Sequence, residues 1–387
     1  MNSFVFQNAT KVYFGQNQLH NLGVELAQFG KKVLLTYGGG SIKKSGLYDK
    51  VVAEIERAGL QLFEYGGIEP NPRVESVDGA AKLCKQHGID VLLAVGGGSV
   101  IDCTKFIASA TFYDGDPWDL STGKAKTAQC LPIVSILTLS ATGSEMNSGG
   151  VISNLKTNDK LGNGNPLMQP KVSFLDPTNT FSVDKYQTAC GSADILSHLV
   201  EVYFTLPQDL GMLDGIMESL FKTVLHNAPI ALNDPTNYHA RANLMWASSW
   251  AINGLIRGGK QQGWSCHSME HQLSAYYDIS HGLGLAILMP RWMKYVLDDK
   301  TVDKFVQFGT NVFDLDKKLP KMQIANEAIQ LFSDFLFKTM GLKSTLGELG
   351  IDTVHFEEMA QKAAGKTLRG FKPLETSDVV KIYNMCL

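Results

Sequence analysis

The sequence predicts an α/β N-terminal domain built on a parallel sheet, followed by an all-α C-terminal domain. Three observations predict this fold. The 387 residues are too many for one small core. The first half alternates short apolar runs with helical patterns, and from about Ser182 apolar residues recur at three-to-four spacing. Because Asp176-Pro177 disfavours a helix just before this switch, we place the domains at 1–180 and 181–387.

Each element of the first half has its own pattern. Apolar runs bounded by turn residues predict strands at Val33–Tyr37, Leu60–Tyr65, Val91–Val95 and Ile133–Leu139, the last clear strand. Amphipathic spacing predicts a helix that follows Gly38-Gly39-Gly40-Ser41 and runs to about Arg57, a helix from about Val74 to His87, and another helix after the second Gly-Gly-Gly-Ser at 96–99.

Composition and charge exclude several classes of protein. The 35 basic and 38 acidic residues give a net charge of -3, so no positive field favours nucleic acid. The longest near-apolar stretch, 282–290, is far shorter than the roughly 18 residues of a membrane span. The six cysteines form no Cys-x-x-Cys pair, and the first ten residues do not form a signal peptide. We therefore expect a soluble cytoplasmic protein with reduced thiols.

Two glycine loops in the first half suggest a bound phosphate group. Gly96-Gly97-Gly98-Ser99 follows a buried strand and opens a helix, where backbone N–H groups and the helix dipole favour a pyrophosphate. The alternative is an ordinary turn in which 99–102 (SVID) forms a capping box. A second copy, 38–41 (GGGS), also follows a predicted strand, at the sheet edge where α/β proteins bind ligands.

The second glycine loop also bears on cofactor choice. NAD-binding folds place a carboxylate on the adenosine ribose, whereas 38–41 offers none and is followed by Lys43 and Lys44. This pattern favours NADPH over NADH, unless both lysines are only solvated residues of a helix surface. The segment 138–145 (TLSATGSE) ends a strand at the same edge, and is either a clamp on the cofactor or a polar loop with capping residues.

Histidines in the second half suggest a metal site. Asp194 and His198 are four residues apart, so on a helix both side chains point to one face. His267 and His271 have the same spacing, and His281 follows. Asp194, His198, His267 and His281 could supply one carboxylate oxygen and three imidazole nitrogens to a divalent transition metal. The alternative for Asp194 and His198 is a surface pair or a buried hydrogen-bonded pair.

Taken in order, these motifs resemble the iron-containing (group III) alcohol dehydrogenases over nearly the whole chain. The shared segments are 96–102 (GGGSVID), 141–145 (ATGSE), Asp194-x-x-x-His198, His267-x-x-x-His271 and His281-Gly282. Within the family the chain is most similar to the NADPH-dependent butanol dehydrogenase and aldehyde reductase branch, through 37–41 (YGGGS), 67–72 (GIEPNP) and 243–247 (NLMWA).

The resemblance implies a dinucleotide-binding N-terminal domain, a helical metal-binding domain and an active site in the cleft between them. It implies that the metal ligands are Asp194, His198, His267 and His281, and that His271 is an active-site histidine beside the metal. It also implies cofactor contacts from the 38–41 loop (Gly38, Gly39, Ser41), from Asn71 near the adenosine, from Gly96, Gly97, Gly98 and Ser99 at the pyrophosphate, from Asp102 near the nicotinamide, and from Thr138 and Thr142. Gly38 falls where NAD-preferring relatives carry an aspartate.

The activity implied by the resemblance is hydride transfer between NAD(P)H and a short-chain aldehyde or primary alcohol. The metal is iron or zinc, since three imidazoles and one carboxylate suit both ions, and relatives in the family are commonly dimeric. Two alternatives stay open: a polyol oxidoreductase like glycerol dehydrogenase, and a non-catalytic metal or nucleotide sensor on the same scaffold. A metallohydrolase is disfavoured by the paired glycine loops, since hydrolysis needs no dinucleotide.

Overall fold

A computed structural model of the chain describes residues 2–206, 210–261, 263–365 and 367–387. One structural unit consists of Gln7–Val183 and Pro235–Ser249. The described parts of Met1–Phe6, Asp184–Asp234 and Trp250–Leu387 form the second unit.

The first unit contains a six-stranded sheet in which every described pairing is parallel, which confirms the predicted fold class. The strands of this sheet are β1 (Lys11–Phe14), β2 (Lys32–Tyr37), β3 (Gln61–Tyr65), β4 (Val91–Gly96), β5 (Ile133–Leu137) and β8 (Val172–Leu175). Their order in the sheet is β1-β8-β5-β4-β2-β3. The four predicted strands agree with β2, β3, β4 and β5 to within two residues.

Ile133–Leu139 is not the last strand, contrary to the prediction. Strand β8 comes later in the chain and pairs with β1. Between β5 and β8 along the chain, β6 (Gly149–Asn154) and β7 (Asp159–Gly164) form an antiparallel hairpin. β1 and β8 have only four residues each, too few for a periodic signal. The hairpin carries Gly, Asn, Ser and Lys in place of an apolar alternation.

Helices cover both faces of the sheet. Leu34, Leu92 and Ala94 belong to one apolar core, whereas Val33 and Leu93 belong to the core on the other face. The helices of this unit are α1 (Leu22–Ala27), α2 (Ser41–Lys44), α3 (Leu47–Arg57), α4 (Val74–His87), α5 (Gly98–Ala110) and α6 (Trp118–Thr122). The single helix predicted over 41–57 is two helices, because the chain turns at Gly46, where φ is 74°.

The second half is helical, as predicted. Its helices are α7 (Lys185–Tyr203), α8 (Gly211–Asn233), α9 (Tyr238–Ile252), α10 (Ser265–Tyr277), α11 (His281–Val296), α12 (Val302–Val312), α13 (Lys321–Asp334), α14 (Phe356–Ala364) and α15 (Thr376–Met385). A short π-helical turn, Phe335–Thr339, extends α13. None of the helices in the described residues is both long and apolar enough to cross a membrane.

The segment 235–249, which the sequence assigns to the helical half, packs with the sheet. Met245 is buried in the same core as Leu92, and the Trp246 ring lies 5.5 Å from the Phe14 ring. The division at residue 180 stays a prediction, and it does not account for this segment.

Candidate active site

Helix α7 carries Asp194 and His198 on one face. The helix begins where the Asp184 side chain accepts a hydrogen bond from the Gln187 backbone N–H at 2.7 Å. Asp194 and His198 are 2% and 3% exposed, so this face is buried, and the pair is not a solvated surface pair. His198 Nε2 lies 3.6 Å from Asp194 Oδ1, which is too long for a hydrogen bond.

Helices α10 and α11 bring the remaining histidines to α7. His267 and His271 lie one turn apart on α10, and His281 is the first residue of α11. The next residue, Gly282, lies so close to α7 that a Cβ there would fall 2.0 Å from the Cys190 carbonyl oxygen. Only glycine therefore allows α11 to start beside α7, which places His281 Nε2 3.7 Å from Asp194 Oδ1.

Three of the four predicted ligands converge on one point. Asp194, His267 and His281 each offer a ligand atom, and these atoms all lie within 4.8 Å of one another. The fourth, His198, stacks on His267 with ring centroids 5.0 Å apart. Donors on one tetrahedral ion with bonds of about 2.1 Å lie about 3.4 Å apart, close to the 3.6 and 3.7 Å separations around Asp194 Oδ1.

Unpartnered polar atoms at this point fit a bound cation. Asp194 Oδ1, His198 Nδ1 and His267 Nε2 are buried and have no hydrogen-bond partner among the described residues. A buried polar atom without a partner costs about 1–3 kcal/mol, and more when it is charged. Asp194 Oδ1 and His267 Nε2 would both be compensated by a positive ion that accepts lone pairs from the carboxylate and the imidazole, and His198 would offer that ion its Nε2, which lies 3.6 Å from Asp194 Oδ1.

The pKa values of His198 and His267 shift in opposite directions because their surroundings differ. Burial lowers the pKa of His198 to about 3, against the opposing effect of the Asp194 carboxylate, so its ring is neutral at neutral pH and can donate a lone pair. Burial also lowers the pKa of His267, but the hydrogen bond and charge of Glu201 outweigh it and raise this pKa above its usual value.

His271 lies beside this group. Its ring centroid is 5.7 Å from that of His281 and 6.3 Å from that of His267, and its side chain is half-buried. His271, His281 and Glu270 form a second group whose ligand atoms lie within 4.8 Å of one another. The structure thus places His271 beside the candidate metal group, which consists of Asp194, His198, His267 and His281 and is called the metal group below.

In the sheet unit, the two glycine loops and the threonine loop follow adjacent strands. Tyr37 at the end of β2 pairs with Val95 in β4, and Gly96 pairs with Leu137 at the end of β5. Loops 38–41, 97–99 and 138–145 therefore begin at the same carboxyl edge of the sheet, where α/β proteins bind dinucleotides.

The loop after β4 opens α5 without a side-chain cap. Gly97 occupies the N-cap position and no side-chain capping hydrogen bond is present there, so the alternative of a capping box over 99–102 is wrong. The backbone N–H groups of the first turn are the ones available to an anion. A Cβ on Gly98 would fall 2.3 Å from Thr142 Oγ1, so glycine here also allows the 138–145 loop to pack on the helix.

Three other predicted cofactor residues have structural contacts of their own. Asp102 accepts hydrogen bonds from Ser144 Oγ at 2.5 Å and from the Val151 backbone N–H at 2.9 Å, which ties α5 to the following hairpin. Asn71, at φ 52°, accepts a bond from Lys160 Nζ at 2.9 Å. The Thr138 backbone N–H donates to the Gly96 carbonyl at 3.1 Å, so Thr138 borders the glycine loop.

The 38–41 loop contains no carboxylate, but one of the lysines that follow it already has an anionic neighbour. Lys43 Nζ lies 3.9 Å from Glu64 and 4.8 and 4.5 Å from the Tyr37 and Tyr48 ring centroids. Lys44 is exposed. The positive charge near this loop is therefore smaller than two free lysines would give.

Comparison with known families covers both halves of the chain. Residues 9–177 match the family described as iron-containing alcohol dehydrogenase, and residues 188–387 match the C-terminal domain of the Fe-containing alcohol dehydrogenase family. The chain belongs to the iron-containing alcohol dehydrogenase family. It is a metal-dependent alcohol dehydrogenase or aldehyde reductase that uses NAD(P)H. The family that the sequence motifs predict is therefore confirmed.

Individual relatives span the length of this dehydrogenase. It is 48% identical to NADH-dependent butanol dehydrogenase B of Clostridium acetobutylicum, over 99% of each chain. It is 38% identical to the NADPH-dependent aldehyde reductase YqhD of Escherichia coli, over 91% of this chain and 90% of that one. The crystal structure of NADH-dependent butanol dehydrogenase A from Thermotoga maritima matches with a TM-score of 0.95 and 37% identity, over 100% of this chain and 99% of that one.

Two carboxylates at the metal group of this dehydrogenase were not predicted from the sequence. Glu201 contacts His267, and Glu270 contacts His281. Glu201 follows His198 by three residues and Asp194 by seven, so its helical spacing placed it on the same face of α7. Glu270 lies between His267 and His271, where the sequence gives no sign that its side chain is buried.

Proposed function

We propose that this enzyme reduces short-chain aldehydes, and oxidises the corresponding primary alcohols, with one iron or zinc ion and with NADPH preferred over NADH. The observation that carries the proposal is the convergence of Asp194, His267 and His281. In this group Asp194 Oδ1 and His267 Nε2 are buried and have no hydrogen-bond partner among the described residues. The substrate class is supported by the names of the relatives, which are butanol dehydrogenases and an aldehyde reductase. A homodimer and a cytoplasmic location stay predictions.

Each residue of the metal group has a distinct role in this proposal. Asp194, His267 and His281, together with His198, would hold the ion. When bound, the metal supplies Lewis acidity to the substrate oxygen and the nicotinamide supplies the hydride. His271 would hold a proton for the substrate oxygen, since its half-buried ring can exchange protons with water while it lies beside the ligands.

The cofactor residues follow the sheet edge. Gly96, Gly97, Gly98 and Ser99 would hold the pyrophosphate with backbone N–H groups, and Thr138 and Thr142 would border the groove. Asn71 would lie on the adenosine side and Asp102 near the nicotinamide, where its two structural hydrogen bonds hold it in place. Gly38, Gly39 and Ser41 would face the ribose.

A direct test is turnover by the metal-loaded protein. The chain is reconstituted anaerobically with iron or zinc in parallel, and NADPH and NADH oxidation is followed against a panel of short-chain aldehydes. We expect turnover with at least one metal and higher kcat/KM with NADPH. Folded, metal-loaded protein that turns over no aldehyde or alcohol would contradict the proposed activity, because a sensor binds the same groups without reaction.

Cofactor preference is tested by Gly38→Asp. Two like charges about 4 Å apart repel by roughly 1 kcal/mol in water and roughly 4 kcal/mol near a protein surface. A carboxylate beside the 2′-phosphate should therefore lower the NADPH/NADH ratio of kcat/KM by about tenfold or more.

The matched control for this substitution is Gly38→Ala. A Cβ at position 38 would lie 3.2 Å from the Ile68 carbonyl oxygen, so both variants share a small steric change and only the aspartate adds charge. If both variants keep the wild-type ratio, the 38–41 loop does not select the cofactor.

A further inference from the structure

Glu201 is a buried carboxylate with three hydrogen-bond donors aimed at it. Its Oε2 lies 2.7 Å from Nδ1 of His267 and 3.3 Å from the His267 backbone N–H, and its Oε1 accepts from the Cys266 backbone N–H at 2.5 Å. Glu201 is 5% exposed and lies on the same helix as Asp194 and His198. It therefore ties the start of α10 to the face of α7 that carries the predicted ligands.

Glu270 plays the same part for His281. It is 0% exposed, its Oε2 contacts Nδ1 of His281, and its Oε1 accepts a hydrogen bond from Ser274 Oγ. Gly284 provides the space for this side chain, because a Cβ there would fall 2.8 Å from Glu270 Cγ. Two imidazoles of the metal group are thus each held by a separate buried carboxylate.

A carboxylate that faces Nδ1 decides which nitrogen of the ring is available. An ionised carboxylate only accepts hydrogen bonds, so the proton of a neutral imidazole stays on Nδ1 and the lone pair stays on Nε2. In His267 this Nε2 is the buried atom without a partner among the described residues. In His281 it is the nitrogen that lies 3.7 Å from Asp194 Oδ1. Both rings therefore present the nitrogen that a metal requires.

We propose that Glu201 and Glu270 are positioning residues that fix the tautomer and orientation of His267 and His281 for the metal, whereas His198 has no such support. The inference rests on the proposed metal site. His198 Nδ1 has no hydrogen-bond partner among the described residues, although the His198 side chain is more deeply buried than that of His267 or His281. Of the three predicted histidine ligands, His267 and His281 are thus each held by a buried carboxylate at Nδ1, whereas His198 has only the Asp194 oxygen 3.6 Å from its Nε2 and the stacked His267 ring.

Glutamine at position 201 cannot replace glutamate. The amide has one accepting oxygen and one donating nitrogen, whereas the donors of Cys266 and His267 lie on both sides of the present carboxylate. If the amide nitrogen faced the ring, it would drive the His267 proton to Nε2 and block the lone pair that should face the metal. If it faced Cys266, a buried N–H would lose its acceptor.

The test measures metal affinity without turnover. Wild type, Glu201→Gln and Glu270→Gln are stripped of metal and titrated with Co²⁺ against a chelator of known affinity, and the visible d–d absorption of bound Co²⁺ is recorded. Loss of such an outer hydrogen-bond partner typically weakens metal binding by about 10- to 100-fold. We expect that loss in Glu201→Gln, with a changed Co²⁺ spectrum. We expect a smaller loss in Glu270→Gln, because its amide oxygen can keep the His281 bond while its amide nitrogen donates to the Ser274 hydroxyl.

The control is Glu218→Gln, in the same structural unit. Glu218 accepts hydrogen bonds from Tyr203 and Gln307, and none of its described contacts involves a histidine of the metal group. It should keep the wild-type Co²⁺ affinity and spectrum. Ser274→Ala, which removes one partner of Glu270 and keeps the carboxylate, should give a smaller loss, and it serves if Glu270→Gln does not fold.

The outcomes separate this inference from the proposed function. Wild type that binds no Co²⁺, Fe²⁺ or Zn²⁺ would remove the metal site itself, and the inference with it. Wild type that binds Co²⁺ tightly, with both glutamine variants unchanged in affinity and spectrum, would overturn the inference and leave the proposed function intact.

Discussion

Replacing His267 with alanine is expected to abolish metal retention and activity together. His267 is one of the three converging residues, and the substitution also leaves the buried Glu201 without its ring partner. A Lewis acid is worth several kcal/mol to hydride transfer, so its loss should slow turnover by about 10³-fold or more. Metal content after gel filtration and the rate of NAD(P)H oxidation are measured on the same sample.

The matched control is His226→Ala, since His226 is exposed on α8 and lies outside the metal group. It should keep both metal and activity. Chelator treatment of wild type should reproduce the loss of metal and activity expected for His267→Ala. Readdition of iron or zinc should restore the activity of chelated wild type and should not restore that of the variant. A His267→Ala variant with full turnover and no metal would show that the site is assigned wrongly.

Replacing His271 with alanine is expected to leave the metal in place and to slow turnover by about 10² to 10⁴-fold, the usual contribution of a positioned proton donor. The reason is that His271 lies beside His281 without belonging to the group formed by Asp194, His267 and His281. Metal content, kcat and the pH dependence of kcat are measured, and the variant should lose the ionisation that belongs to this imidazole.

Two results would change the role of His271. Loss of metal equal to that of His267→Ala would make it a ligand, which its second grouping with Glu270 and His281 permits geometrically. Metal and rate both retained, with an unchanged pH profile, would make it a residue that only supports its neighbours by hydrogen bonding.

The sequence predicted those parts of the fold whose signals are local. The buried runs of β2, β4 and β5 are continuous and apolar, which identifies parallel strands without knowledge of their partners. β1 and β8 could not be found this way, because each has four residues and their pairing joins Lys11 to Val172 across most of the sheet unit. The helix predicted over 41–57 is interrupted by the turn at Gly46. The spacing of apolar residues does not reveal this turn.

The metal group was predictable in part for the same reason. The spacing of Asp194 and His198 is local to one helix, whereas the meeting of His267 and His281 with Asp194 depends on the close approach of α11 to α7 at Gly282. Glu201 and Glu270 were missed because glutamates on helices are mostly solvated, and only the packing shows that these two are buried. The cofactor assignments stay predictions.

The interleaved packing of 235–249 limits how this protein can be recombined. A chimera that joins the sheet half of one relative to the helical half of another at residue 180 inherits α9 from the second parent. Met245 and Trp246 would then have to fit a core and a Phe14 ring from a different lineage. Exchange of cofactor specificity between members of this family therefore calls for transplanting two separate stretches of the gene, 7–183 and 235–249, as one inherited block.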